Sequence, residues 1–202
     1  YLAFDVCPAN RVLNMLAKET GKEFDEDGEM ARRGNIIPSL LEDLNALDYY
    51  SRPFPKSLAN EFGTDVVYHM IRNTGCEIKD SLRTYVEHIV IQIKRSINNS
   101  QVSNPKSQIQ NPDLSKDFLQ SRLLVTGGGA FNKFLVERLS EELSAMKIEV
   151  VVPEEKLVKF KEALVMAFIG VLRWRQEDNI LASVTGAEKN SIGGALWIGQ
   201  DA

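Results

Sequence analysis

Leu123-Leu124-Val125-Thr126 runs straight into Gly127-Gly128-Gly129, followed by Ala130-Phe131-Asn132. The four apolar or β-branched residues at 123–126 predict a buried strand. The glycine triplet predicts a tight turn without side chains. Phe131, Phe134, Leu135, Arg138 and Leu139 then recur at helical spacing, so a helix starts where the turn ends. Glycines let backbone approach a flat or anionic ligand closely, and a helix start offers unpaired N–H groups. The turn is therefore expected to hold a nucleotide or another polar small molecule; a purely structural strand-to-helix turn is the alternative reading of the same residues. Spacing excludes a P-loop, because Lys133 is followed by Phe134 and has no glycine before it. The dinucleotide pattern Gly-x-Gly-x-x-Gly is met at Gly127 and Gly129 and fails at Asn132.

The 202 residues suit one larger domain or two small ones, and a chain that is 44% hydrophobic and 26% charged has the composition of a soluble globular protein. Twenty-four Lys and Arg against 28 Asp and Glu leave a net charge of −4, which argues against a nucleic-acid surface as the main function. Arg32-Arg33 and Lys94-Arg95 are isolated pairs and read as solvated helix faces. Two cysteines, Cys7 and Cys76, make no disulfide framework, so a reducing cytoplasm is the default. No apolar run approaches membrane-spanning length. The opening Tyr1-Leu2-Ala3-Phe4-Asp5 has no initiator Met and no basic segment, and reads as part of a longer protein without a signal peptide.

Outward from the glycine turn, the sequence alternates short strands with helices. Leu2 to Phe4 read as a strand ending at Asp5, and Pro8 opens a helix that stops near Lys18–Gly21. Residues 24–34 are charged and read as surface. Helices are expected at 38–48, 64–73 and 78–98, with Pro53 and Pro55 marking a loop. His69 and His88 have no companion ligands at metal spacing and read as structural or surface histidines; no metal site is expected. Residues 98–118 are polar and turn-rich, a loop or insertion with no face to bury. Lys147 to Val152 predict another strand, and a helix from about Leu157 to Arg173 follows. A second small-residue patch, Ser191-Ile192-Gly193-Gly194-Ala195-Leu196, suits ligand approach or tight helix packing. The pattern is α/β with mixed or parallel strands. Asp5 and Gly127 both follow expected strands at the edge where open α/β sheets take ligands, so the two are expected to border one hollow.

With these residues assembled, the chain resembles the C-terminal half of the anhydro-N-acetylmuramic acid kinase family. Phe4-Asp5 with Pro8 and Asn10 is similar to the family's Phe-Asp-x-Gly-Pro-Gly-Asn, and Asp25-x-Asp27-Gly28 with Ala31 and Gly34 to its Asp-x-Asp-Gly segment. Pro55-Lys56-Ser57 with Glu61 resembles Pro-Lys-Ser-Thr-Gly-Arg-Glu, and Gly127 to Asn132 resembles the adenosine-side turn. Glu162-Ala163 with Ala167-Phe168, and Val184-Thr185-Gly186-Ala187, complete the series in the family's order.

The resemblance implies a ribonuclease-H-like, actin-type ATPase domain with a mixed sheet flanked by helices. Residues 1–202 would be the C-terminal domain of a two-domain kinase whose N-terminal domain is absent. It implies an enzyme that opens the 1,6-anhydro ring of anhydro-N-acetylmuramic acid with water and phosphorylates O6 in cell-wall recycling. Such an enzyme uses ATP and Mg²⁺, the metal held mainly by the absent domain, and the parent is implied to be a cytoplasmic homodimer. Asp5 matches the catalytic aspartate and becomes the candidate base; by residue type alone it reads as a helix cap or turn residue. Gly127, Gly128, Gly129 and Asn132 become the ATP-binding residues. Asn10 and Ser57 hold loops around the site. Lys56 binds an anion or is a surface lysine, and Glu162 lies near the sugar or is a solvated helix carboxylate. Two motif glycines are here Cys7 and Ala9, so a differently shaped Asp5 loop is expected, and the family's arginine is lost within Leu58-Ala59-Asn60. Two other readings stay open: a kinase of the same superfamily acting on another small molecule, and a non-catalytic nucleotide-binding or dimerising module.

Overall fold

Leu82, Tyr85, Val86, Ile89 and Val90 fall on one stripe at three- and four-residue spacing, and all are buried in the structure. They form the inner face of the longest helix, α6 (Ile78–Val102), around which the core is built. The structure, a computed structural model, describes residues 2–102, 121–195, 197 and 199. The chain divides into two compact units, one of Asp5–Arg52 with Leu58–Pro153 and one of Tyr1–Phe4, Pro53–Ser57 and Glu154–Ala202.

In the first unit, α1 (Ala9–Lys18), α2 (Glu29–Arg32), α3 (Pro38–Asn45) and α7 (Lys133–Ser144) pack on α6. Val12, Leu13 and Leu16 of α1, Leu40 and Leu44 of α3, and Phe134, Leu135, Leu139 and Leu143 of α7 supply the apolar faces. α4 (Asp48–Ser51), a π-helical turn at Phe62–Tyr68 and α5 (His69–Asn73) complete the helical shell. Strand β1 (Ser121–Leu124) pairs in parallel with β2 (Ile148–Val151), Ser121 opposite Ile148 and Leu124 opposite Val151. Helix α7 makes the crossover that a parallel pair requires. A buried ion pair ties α7 to α6: Arg138 donates to both oxygens of Glu87, at 2.7 and 3.1 Å, and Glu87 also meets Arg83 at 3.1 Å.

In the second unit, α8 (Glu155–Trp174) and α9 (Ala182–Thr185) follow β2, and α9 ends at Gly186 in the left-handed region, φ 76°. Ile180 and Ser191 form an antiparallel bridge, and Gly193 donates its N–H to Asn179 Oδ1 at 2.7 Å. The Gly193-Gly194 patch thus packs against its own loop; Leu196 lies outside the described residues.

Several elements depart from the sequence reading. Leu2 to Phe4 form no strand: apolar composition does not make a ladder without a neighbouring strand, and no described residue pairs with them. The strand expected at 123–126 sits two residues earlier, although Val125 still donates to Val151 O at 2.9 Å. The expected helix at 38–48 is two, α3 and α4, with the break at Ala46–Leu47. Helix α6 continues to Val102, so residues 98–102 of the expected loop are helical, since extending a formed helix is far easier than starting one. Residues 103–118 of that loop lie outside the described residues. The charged segment 24–34 is not merely surface. Asp25, 7% exposed, accepts the N–H groups of Met30 at 2.8 Å and Ala31 at 2.9 Å and so starts α2, burying Ala31. Arg32 of the first basic pair meets Glu137 at 2.6 Å and lies over the Phe134 ring, so it belongs to packing.

His88 is a structural histidine. It is fully buried, Nδ1 donates to Asn45 Oδ1 at 3.0 Å and Nε2 accepts from the Tyr50 hydroxyl at 2.9 Å, a tautomer set by those partners. Burial lowers its pKa from 6.5 to about 3. A histidine that folds neutral favours the native state fully above the unfolded pKa, and that advantage is lost as pH falls from 6.5 towards 3. Moving from pH 7 to pH 5 is therefore expected to cost about 2 kcal/mol through this residue. Chemical denaturation of wild type and His88→Gln at both pH values checks it: the pH difference shrinks by about that amount in the variant.

Candidate functional site

The glycine turn is built by its own backbone. Gly127 takes φ 71°, ψ −166°, a conformation closed to residues with a Cβ, and so ends the strand abruptly. Its carbonyl accepts the Ala130 N–H at 3.1 Å, winding Gly128–Phe131 into one 3₁₀ turn. Asn132 then caps α7, its Oδ1 accepting the Leu135 N–H at 2.9 Å. At Gly128 a Cβ would lie 2.6 Å from Asn10 Nδ2, so the bare backbone lets the first turn of α1 close against the loop.

These parts enclose a hollow of about 500 Å³. Asn10, Leu13 and Asn14 of α1 form one wall, and Gly128 and Ala130 to Lys133 form another. The third wall is Phe24 with Asp25, Glu26 and Asp27. Phe24 and Phe131 are exposed there, 55% and 43%, and so are available to a flat ligand. Asp25 spends its carboxylate on α2, while Asp27 is paired with Lys133 at 2.7 Å. Both charges of that last pair lie at the surface, so it adds little stability.

Asp5 stands at a second, smaller hollow of about 220 Å³, with Cys7, Pro8, Ala9, Arg11 and Leu58 to Asn60. Its side chain is exposed, and Oδ2 accepts the Leu58 N–H at 2.7 Å. Asp5 and the glycine turn thus do not line one described hollow: each has its own, and the first turn of α1 borders both. The expected shared edge fails because Asp5 follows an unpaired segment rather than a strand, and α1 stands between the hollows.

Asn10, Gly128 and Asn132 line the larger hollow together, whereas Gly127 and Gly129 belong to the same turn but are not part of that lining. Lys56, Ser57 and Glu162 belong to the other unit. There Lys56 lies 5.8 Å from the centre of the Phe54 ring, and Ser57 and Glu162 are exposed, Glu162 on α8. Burial pushes the Cys7 thiol up to about 12, although the residue as a whole is only partly buried, and the side chain packs against the core. The altered loop is also unstrained: among the described residues with positive φ, neither Cys7 nor Ala9 appears. Ala9 is the first residue of α1. Among the described residues no three His, Cys, Asp or Glu side chains group closely enough to hold a metal ion, and no helix is long and apolar enough to cross a membrane. Sequence reasoning missed Phe24, Glu26 and Lys133 as parts of the larger hollow. Their one signal was the Asp25-x-Asp27-Gly28 landmark, to which no role was attached.

The model of the anhydro-N-acetylmuramic acid kinase family matches residues 1–199. Proteins named anhydro-N-acetylmuramic acid kinase from Aliivibrio fischeri and Sulfurovum sp. are each 29% identical to the chain, over 97% and 98% of its length. One from Hydrogenovibrio crunogenus is 30% identical over 97% of it. The chain covers 50% of each of these relatives, about half their length.

The capping geometry separates two roles of Asn132. Asn132→Ala is expected to lower stability by about 1 kcal/mol, whereas Asn132→Asp keeps the cap and loses little. Urea denaturation of both variants decides it, and equal losses would mean that the cap contributes nothing.

Proposed function

The chain belongs to the anhydro-N-acetylmuramic acid kinase family, and from that premise we propose that it is the C-terminal, nucleotide-holding domain of an ATP-dependent sugar kinase. The proposed fold is the ribonuclease-H-like, actin-type domain, for which the helix-crossed parallel strands give support. The proposed substrate is anhydro-N-acetylmuramic acid, and the proposed setting is cytoplasmic cell-wall recycling by a homodimeric parent protein.

The observation that carries the reading is the hollow at the glycine turn. Its size suits a nucleoside, and Gly128 leaves backbone uncovered in its lining. Phe24 and Phe131 offer aromatic faces for a purine, since base–aromatic stacking contributes about 1–3 kcal/mol. Asp25, Glu26 and Asp27 form one wall of the hollow, with Lys133 on the neighbouring wall as the one cation of its lining, so a triphosphate is repelled there and the base and ribose take that end. The phosphates then point away towards groups outside this chain.

In the proposed reaction Asp5 takes a proton from water as the water oxygen bonds to the anomeric carbon. The C1–O6 bond breaks, and O6 bonds to the γ-phosphorus as ADP leaves. Bound Mg²⁺ would supply charge neutralisation at the transferring phosphoryl group; none of the described residues is assigned to hold it. Asn10, Lys56, Ser57 and Glu162 are each proposed as substrate-binding or site-supporting residues. Alone, this chain is proposed to bind nucleotide without turnover. The separation of the Asp5 hollow from the glycine-turn hollow favours one second reading, a non-catalytic nucleotide-binding module.

Asp5→Asn in the full-length protein is expected to slow anhydro-sugar-dependent ADP release by about 10²–10⁴-fold, while ATP affinity by titration calorimetry stays unchanged. A loss below tenfold removes Asp5 as the base, and ATP binding without turnover in the unmutated full-length protein selects the second reading. Phe131→Ala is expected to weaken ATP binding about tenfold through lost stacking; unchanged affinity places the nucleotide elsewhere.

A further inference from the structure

The family pattern carries glycines where this chain has Cys7 and Ala9, yet the Asp5 loop is closely held. Tyr49 of α4 donates its hydroxyl to the Asp5 carbonyl at 2.5 Å. Tyr85 of α6 donates to the Pro8 carbonyl at 3.2 Å. Both rings are buried, 4% and 0% exposed. Tyr49 lies against Tyr50 and Phe62, with ring centres 5.6 and 5.4 Å away, and Tyr85 stacks on His88 at 5.5 Å. The two hydroxyls therefore stand on rigid supports. Between them, the Cys7 carbonyl accepts the Ala9 N–H at 2.9 Å, and Cys7 and Ala9 pack on the core. Burial, with the nearby Asp5 carboxylate, pushes the Tyr49 hydroxyl up to about 12, and burial pushes that of Tyr85 well above 10. Both stay protonated, and so stay donors, throughout the neutral range.

We infer that Tyr49 and Tyr85 are positioning residues for Asp5: their hydroxyls fix the carbonyls at both ends of residues 5–8 and so hold the carboxylate that also accepts the Leu58 N–H. The catalytic side of this inference rests on the proposed role of Asp5; the mechanical side does not. The loop's own backbone closes one turn, the Ala9 N–H on the Cys7 carbonyl around Pro8, which leaves Asp5 at the far end to be tied from outside. The two phenols sit on helices that the core already orders, so holding the loop costs little additional entropy.

Tyr49→Phe and Tyr85→Phe keep the rings and remove only the hydroxyls. The mechanical side is read by iodoacetamide alkylation of Cys7, with Cys76 as the internal reference, quantified by mass spectrometry on protein whose thermal melt remains cooperative. The expected result is a Cys7 rate at least threefold higher in each variant; a smaller change in both overturns the inference. The catalytic side is read in the full-length protein as a fall in kcat of about tenfold, the order of one lost hydrogen bond, with KM for ATP unchanged. An unchanged kcat, or a rise in KM for ATP alone, overturns the positioning role. If the unmutated protein turns over no anhydro sugar, the proposed function fails, and the Cys7 rates alone decide whether the tyrosines hold the loop.

Discussion

The first turn of α1 closes on the glycine turn through the approach of Asn10 to Gly128, and both hollows border that turn of α1. A Cβ at position 128 would lie 2.6 Å from Asn10 Nδ2, so the Asn10 side chain, which reaches across from the first turn of α1, would have to shift. That closure brings Asn10, Leu13 and Asn14 to the larger hollow, and it places Ala9 and Arg11, on the same turn, at the smaller one. It also gives Gly128 a reason for being glycine that needs no ligand. Structural and binding readings of the triplet are thus not rivals: the packing that excludes a Cβ also creates the cavity beside it. Gly127 has a separate reason, its positive φ.

Legibility in the sequence followed locality. Helices α1, α6, α7 and α8 were readable because their apolar stripes recur at helical spacing over ten or more residues and end at recognisable stops such as Gly21. Strand β2 was readable from Ile148 to Val151. Leu2 to Phe4 misled because a strand is a relation between segments, and composition reports only one of them. Residues 24–34 misled for the opposite reason. Their charges suggested surface, but a single carboxylate, Asp25, turned inward to satisfy two backbone donors and carried Ala31 into the core. Nothing in residue spacing reveals that a charged side chain will be used as a cap at five and six residues' distance.

The site was legible in part. Asn10, Gly128 and Asn132 line one hollow, although Asn10 and Gly128 lie 118 positions apart. Lys133 was visible as a residue, but its pairing with Asp27 across the hollow was not, because it joins segments 106 residues apart. The acidic wall that this pairing only partly neutralises is what sets the base-first orientation in the proposed function. Periodicity has no access to that kind of statement, which needs the charges in three dimensions.

Cys7 and Ala9 bear on how far a motif can be carried from one chain to another. Read as residue types, they suggest a strained or reshaped loop, since an L residue at positive φ costs about 1–2 kcal/mol. The strain exists only if the backbone keeps the glycine conformation, and here neither residue does. Both side chains instead pack on the core, and the carbonyls on either side accept tyrosine hydroxyls. What a functional carboxylate requires is a fixed position, not a particular loop sequence, and position can come from backbone conformation or from neighbours. In this chain neighbours supply contacts that can fix it: two buried phenols on the Asp5 and Pro8 carbonyls and the Leu58 N–H on the carboxylate. The departure from the pattern is therefore no evidence against an ordered Asp5, and its consequence shifts to residues outside the motif, where the supporting structure has to be equally well packed.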